Sequence, residues 1–150
     1  MDVAQAAYSM IIPAPEDDLL PFCSEEGIGF LAYAPMGSGL FVGAITRERL
    51  AAMVGDHRKH APAFTEPSLT HSLELYERVQ EMASSHGVGP GVVAVAWALS
   101  DPRVSGAIVG VRQPRWVQEL VPAAVDLVLS AEELGLIRNW MTPVHAPGAR

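Results

Sequence analysis

Apolar positions recur along this chain in two rhythms. Residues 28–36, IGFLAYAPM, are apolar without a break, as in a parallel strand covered on both faces. Ala107-Ile108-Val109 reads the same way, and residues 2–8, DVAQAAY, form a weaker third strand. Elsewhere the period lengthens. Leu69, Leu73, Tyr76, Val79 and Ala83 recur at helical spacing, so residues 69–85 form an amphipathic helix that Gly87 ends. Pro90 begins another helix, GVVAVAWALS, which Pro102 prevents from continuing. It is apolar nearly all round and is therefore expected to be buried.

Weaker signals mark the remaining elements. Glu16 to Glu26 reads as a helix, acidic at its N-terminal end and capped by Gly27, with Pro21 moving the start later. GSGLFVGA and the polar stretch containing Gly55, Pro62 and Pro67 form a long loop around one short helix. A helix starts at Pro114, and Pro122 is expected to end it early or kink it. Ser130 and Glu133 make a capping-box pattern before Leu134, Ile137 and Met141. The tail TPVHAPGAR reads as disordered. The chain shows no internal repeat and no low-complexity tract.

Strands alternating with helices imply an α/β fold with a parallel sheet and helical crossovers. At 150 residues the chain has the size of one domain. Three parallel strands are few, and both outer strands would present unpaired backbone groups. The chain is therefore expected to be part of something larger. Its formal charge of −7 argues against binding a nucleic-acid backbone over a broad surface. Cys23 is the only cysteine, which excludes an internal disulfide and a cysteine zinc cluster. The N-terminus lacks the basic start and apolar run of a signal peptide, and no apolar run is long enough to cross a bilayer. The expectation is a soluble, cytoplasmic protein with no membrane partner.

In parallel α/β folds, function gathers at the C-terminal ends of the strands. After the first strand stand Tyr8 and Ser9, preceded by Gln5. After the second stand Pro35, Met36, Gly37, Ser38, Gly39 and Leu40. After the third stand Gly110, Val111, Arg112 and Gln113. Glycines let a backbone approach a phosphate, a helix N-terminus favours an anion, and Arg112 could add a bidentate contact. Each feature has a plainer reading. GSG is commonly a turn, Arg112 and Arg115 are solvated loop residues, Trp116 is a core anchor, and Tyr8 is a strand-end aromatic. The case for a site rests on all three lying at equivalent strand ends. His57 and His60 have metal-like spacing, but their neighbours Arg58 and Lys59 are cationic, so a solvated loop is expected. Ser38 lacks the strand-to-helix setting of a nucleophile elbow.

Three blocks taken in order carry a resemblance. Gln5-Ala-Ala-Tyr8-Ser9, then LAYAPMGSGL, then VAWALSDPRVSGAIVGVRQP, resemble the C-terminal half of an aldo-keto reductase. The resemblance covers about Gln5 to Trp140. It implies the last three β/α units of a TIM-type (β/α)8 barrel over residues 1–140, followed by a flexible tail at 141–150. It also implies NADP(H) as cofactor, in carbonyl reduction or alcohol oxidation on a small-molecule substrate. By that likeness Gln5 would hold the nicotinamide carboxamide, Tyr8 would stack on its ring, and Met36 to Leu40 would cradle the pyrophosphate. Arg58 would lie over the cofactor, Arg112 would face the 2′-phosphate and Glu119 the adenine, with Gly110 also among the cofactor-binding positions. Two positions depart from the family, which commonly has Gln and Asn where this chain has Trp116 and Leu120. The family's catalytic tetrad of Asp, Tyr, Lys and His lies on the other half of the barrel. The chain is thus expected to carry cofactor-binding segments and no catalytic residue, and to self-associate or pair with a complementary barrel half. The alternative is a non-catalytic NADPH-binding or regulatory module that pairs with another chain.

Overall fold

The computed structural model describes residues 2–111 and 114–141. In chain order it contains β1 (Val3–Ala7), α1 (Leu19–Glu25), β2 (Gly29–Tyr33), α2 (Arg47–Ala52), α3 (Ser68–Ser85), α4 (Pro90–Leu99), β3 (Val104–Ile108), α5 (Pro114–Asp126) and α6 (Ala131–Met141). Short 3-10 segments at Ala14–Glu16, Gly37–Val42, His57–His60 and Pro62–Phe64 fill the long connections. The disorder expected of the tail falls on residues 142–150, outside the described residues. Met141, assigned to that tail from the sequence, instead ends α6 and is buried.

The three strands pair in parallel in the order β1-β2-β3. Gln5 lies opposite Leu31, and Tyr33 opposite both Ala7 and Ile108. One irregularity interrupts the ladder: Phe30 faces Val104 while Leu31 faces Gly106, so Ser105 is an extra residue. A bulge of this kind leaves backbone groups without ladder partners. Here the Phe30 amide donates to Ser105 Oγ at 3.1 Å. Ser105→Ala is therefore expected to lower stability by about 1 kcal/mol, the usual cost of one such bond. Urea unfolding measures it, and an unchanged midpoint would show that water replaces the hydroxyl.

The two faces of the sheet differ. Phe30 and Ala32 point into a core shared with α4, whose residues Gly91 to Ala98 are buried. The other face carries Gln5, Leu31 and Tyr33 in neighbouring register positions. On that side Val3, Tyr33 and Ile108 remain 50%, 43% and 43% exposed. One layer of helices thus covers one face only. Among the described residues, β1 and β3 have no strand beyond them.

Two helices differ from expectation. The first splits into the 3-10 turn Ala14–Glu16 and then α1, which starts at Leu19 behind the cap Asp18, leaving Pro21 in its first turn. Proline is tolerated there because that amide has no helical partner. Helix α5 runs through Pro122 to Asp126 rather than ending early. The lost hydrogen bond is outweighed by packing against α4, where Ala124 is buried.

Helix α6 is tied down at both ends. The Ser130 amide donates to Glu133 Oε2 at 2.7 Å, and the Glu133 amide donates to Ser130 Oγ at 3.2 Å, closing the capping box. Glu133 Oε1 lies 2.5 Å from His86 Nε2 at the end of α3. Arg78 of α3 sits over the Trp140 ring, 6.0 Å from its centroid. The Ser130 amide, then His86, hold the Glu133 carboxyl below its usual range, and Arg103 does the same for Asp101. Such groups bind protons more weakly in the folded than in the unfolded chain. Their contribution is full above the ordinary carboxylate value and disappears as pH falls through the lowered one. The thermal midpoint is therefore expected to drop between about pH 5 and pH 3, and less steeply in Glu133→Gln. A parallel fall in both proteins would remove Glu133 from the account.

Candidate functional site

The strand ends place the expected site residues in different settings. Gln5 is exposed on the open face of β1. Tyr8, three residues later, points the opposite way and is only 2% exposed. Its ring stacks on Trp97 at 5.0 Å and meets the edge of Phe30 at 6.2 Å. Its hydroxyl donates to Glu16 Oε1 at 2.9 Å, and Glu16 Oε2 accepts from Arg138 Nη1 at 3.1 Å. Burial, and then the adjacent Glu16 carboxylate, push the Tyr8 hydroxyl far above the ordinary tyrosine range. Tyr8 is thus a core residue, not the free stacking ring expected from the sequence. The exposed ring at these strand ends is Tyr33, the last residue of β2.

After β2 the chain makes a left-handed turn. Ala34, Gly37, Ser38 and Gly39 all have positive φ. Met36 and Leu40 are buried beneath the turn, while Ser38 and Gly39 lie partly open. Gly39, at φ 101°, has a backbone conformation that other residues rarely adopt, and a Cβ there would lie in ordinary contact with Arg58 Nη1 at 3.5 Å. Arg58 Nη1 donates to the Ser38 carbonyl at 3.3 Å. Its Nε and Nη2 donate to the Asp56 carboxylate, which also accepts the Arg58 amide at 3.0 Å. These bonds hold Asp56 well below the carboxylate range, so the pair stays ionised. Arg58 is anchored twenty residues from the turn it covers, and an open cleft lined by Ser38 and Val54–Arg58 lies beside it.

A second cleft, of about 450 Å³, begins at the far end of the same 3-10 segment. Phe41 and Val42 form one wall, the Gly87–Val92 turn and start of α4 another, and Trp116, Leu120 and Ala123 of α5 a third. Gly91 makes this junction possible, since a Cβ there would lie 3.1 Å from Val42 Cγ1 and 3.3 Å from Met36 Sδ. Segment 37–42 therefore borders a cationic turn at one end and an apolar cleft at the other.

Gly110 is exposed after β3, at the approach to α5. Arg112 lies outside the described residues, as does the side chain of Glu119. Lys59, the only lysine, donates to the carbonyls of Ala51 at 3.3 Å and Met53 at 3.5 Å, closing the end of α2. Among the described residues no group of three His, Cys, Asp or Glu side chains gathers as a metal site requires, and no helix is long and apolar enough to cross a membrane. Trp116, read from the sequence as a core anchor, lines a cleft instead. The glycine-dense stretch Gly87-Val88-Gly89-Pro90-Gly91 was the available signal for that cleft.

Comparison with known proteins bears on this arrangement. The profile of the Aldo/keto reductase family matches residues 1–141. The NADH-specific methylglyoxal reductase of Escherichia coli is 30% identical over 139 residues, covering 93% of this chain and 41% of that protein. An aldo-keto reductase of Schizosaccharomyces pombe, yakc, named for NADP(+), is 27% identical over 150 residues, covering the whole chain and 44% of that protein. The structure of a glycerol dehydrogenase from Gluconobacter oxydans superposes with a TM-score of 0.83 at 24% identity, covering 95% of this chain and 43% of that one. The fold is thus part of a TIM barrel. The chain spans less than half the length of the curated relatives it matches.

Proposed function

This chain belongs to the aldo/keto reductase family, and from that membership we propose that it is the nucleotide-holding part of an NADP(H)-dependent oxidoreductase acting on small carbonyl compounds or their alcohols. The observation that carries the reading is the Ser38–Gly39 turn, with its bare backbone facing the anchored Arg58 guanidinium. A cation over a partly open left-handed turn suits a phosphate group. Met36 and Leu40 support that turn from below, and Gly110 stands exposed at the approach to α5. Gln5 and Tyr33 share the open face, so an amide and a free ring are available there to a nicotinamide. When bound, NADPH supplies the hydride, and the carbonyl oxygen must receive a proton from an acid.

Two groups of the types the family uses for that proton transfer are committed elsewhere in this chain. The Tyr8 hydroxyl is buried on Glu16, and the Lys59 ammonium caps α2. The proton donor is therefore assigned to a complementary barrel half covering the open face. The substrate class is small aldehydes and ketones, of which methylglyoxal, in the name of the Escherichia coli relative, is one. A non-catalytic NADPH-binding module paired with another chain is the second reading, favoured by the same open face and unpaired strand edges.

Titration with both cofactors tests the proposal. NADPH is expected to bind about ten- to a hundredfold more tightly than NADH, through the 2′-phosphate and Arg112. Arg112→Ala is expected to remove that preference and leave NADH affinity nearly unchanged. Equal affinities in the unmodified protein would overturn the cofactor assignment. Failure of both to bind, alone and with a complementary half added, would overturn the function.

A further inference from the structure

Resting on the complementary barrel half assigned above, we propose that this partner engages the chain through one strand laid parallel along the free edge of β3, beneath the valine row Val117, Val121 and Val125 of α5. The contact surface then includes the flank of a helix as well as the open face of the sheet.

The inference starts from where each helix packs. Helix α1 follows β1 and packs on β2, and α4 follows β2 and packs on β3. Right-handed connections between parallel strands place the helix back over the sheet in this way, so each helix covers the next strand in the order β1-β2-β3. Helix α5 follows β3. Among the described residues it packs on α4 and makes no comparable contact with any of the three strands. By the same rule, the strand that α5 covers is the one that pairs with β3 on its far side.

The side chains of α5 agree. Ala124 is buried, and Trp116, Leu120 and Ala123 beside it are half-buried. The row adjoining these on one flank is Val117, Val121 and Val125, at i, i+4 and i+8, which are 47%, 42% and 67% exposed. The opposite flank carries Gln118, Pro122 and Asp126, also exposed. An amide and a carboxylate are what a solvated flank carries, whereas β-branched apolar side chains suit a sheet surface. Ile108, the last residue of β3, is exposed as well.

These features define the partner segment. A free strand edge offers amides and carbonyls that recognise backbone, and apolar side chains above it select what the added strand carries. A strand placed there has both faces covered, so it is a continuous apolar run without charges. Its direction follows the parallel sheet. The barrel of the Gluconobacter oxydans glycerol dehydrogenase extends well beyond the 43% that this chain covers, and a closed barrel has no free edges.

The test co-expresses the chain with a tagged polypeptide made of the part of the Escherichia coli methylglyoxal reductase that this chain does not match, and measures recovery on the tag and hydrogen–deuterium exchange. The parent chain is expected to co-purify, with exchange in β3 and α5 slowed relative to the chain alone. Val121→Lys places an ammonium group over the added strand and is expected to reduce recovery to background. The melting midpoint of that variant alone is expected to match the parent, because Val121 is exposed there. Leu136→Lys, the same charge at an exposed position of α6, is expected to keep full recovery. Co-purification that survives Val121→Lys, or that slows exchange in β1 and not in β3, would overturn this inference and leave the complementary half in place. Failure of the parent to co-purify would overturn both.

Discussion

Purified by itself, the chain is expected to oxidise NADPH in the presence of aldehydes or ketones no faster than buffer does. Carbonyl reduction needs a positioned acid, and general acid–base groups contribute about a hundred- to ten-thousandfold to such rates. Three tyrosines and one lysine match the types of the family's acid pair, and of these Tyr33 is placed against the nicotinamide. Tyr8 is sealed in the core with its hydroxyl on Glu16, and Lys59 closes a helix end. Spectrophotometry at the nicotinamide absorbance measures the effect. Turnover above background that Lys59→Met abolishes would overturn the account. Supplying a complementary barrel half as a separate chain is expected to raise the rate by at least the lower of those factors.

The second large effect is on stability. Tyr8→Ala is expected to cost about 3 to 5 kcal/mol, the usual range for emptying a buried aromatic site. It removes a ring packed on both Trp97 and Phe30. In Tyr8→Phe the ring remains and only the bond to Glu16 is lost, so a cost of about 1 kcal/mol is expected, with Arg138 still paired to Glu16. Urea denaturation distinguishes the two. A residue that stacked on the cofactor would behave the other way, losing NADPH affinity in Tyr8→Ala with little change in stability and keeping it in Tyr8→Phe.

These two outcomes bear on how much of the molecule its sequence specifies. The order of strands and helices, the buried α4 and the capping box at Ser130 follow from local pattern alone. They depend on periodicity and on groups a few residues apart, so a linear reading reaches them. The grouping of the site at the strand ends is likewise implicit once the sheet is parallel.

What the tertiary structure decided is which side chains face outward there. Gln5 and Tyr8 are separated by three positions, and side chains in an extended chain alternate, so the two point to opposite faces. Which of those faces is covered depends on helix α4, more than eighty residues away. Packing against Trp97 claimed Tyr8 for the core and left Tyr33 exposed in its place. The same holds for the cleft: Val42, Gly91 and Trp116 come from three separate elements, and the glycines around Gly91 signal room there without specifying which elements meet. Pro122 reads locally as a helix breaker, yet α5 continues because burial against α4 offsets one missing hydrogen bond. Pattern and capping determined the elements; burial between residues distant in sequence determined which of their surfaces were left free to bind.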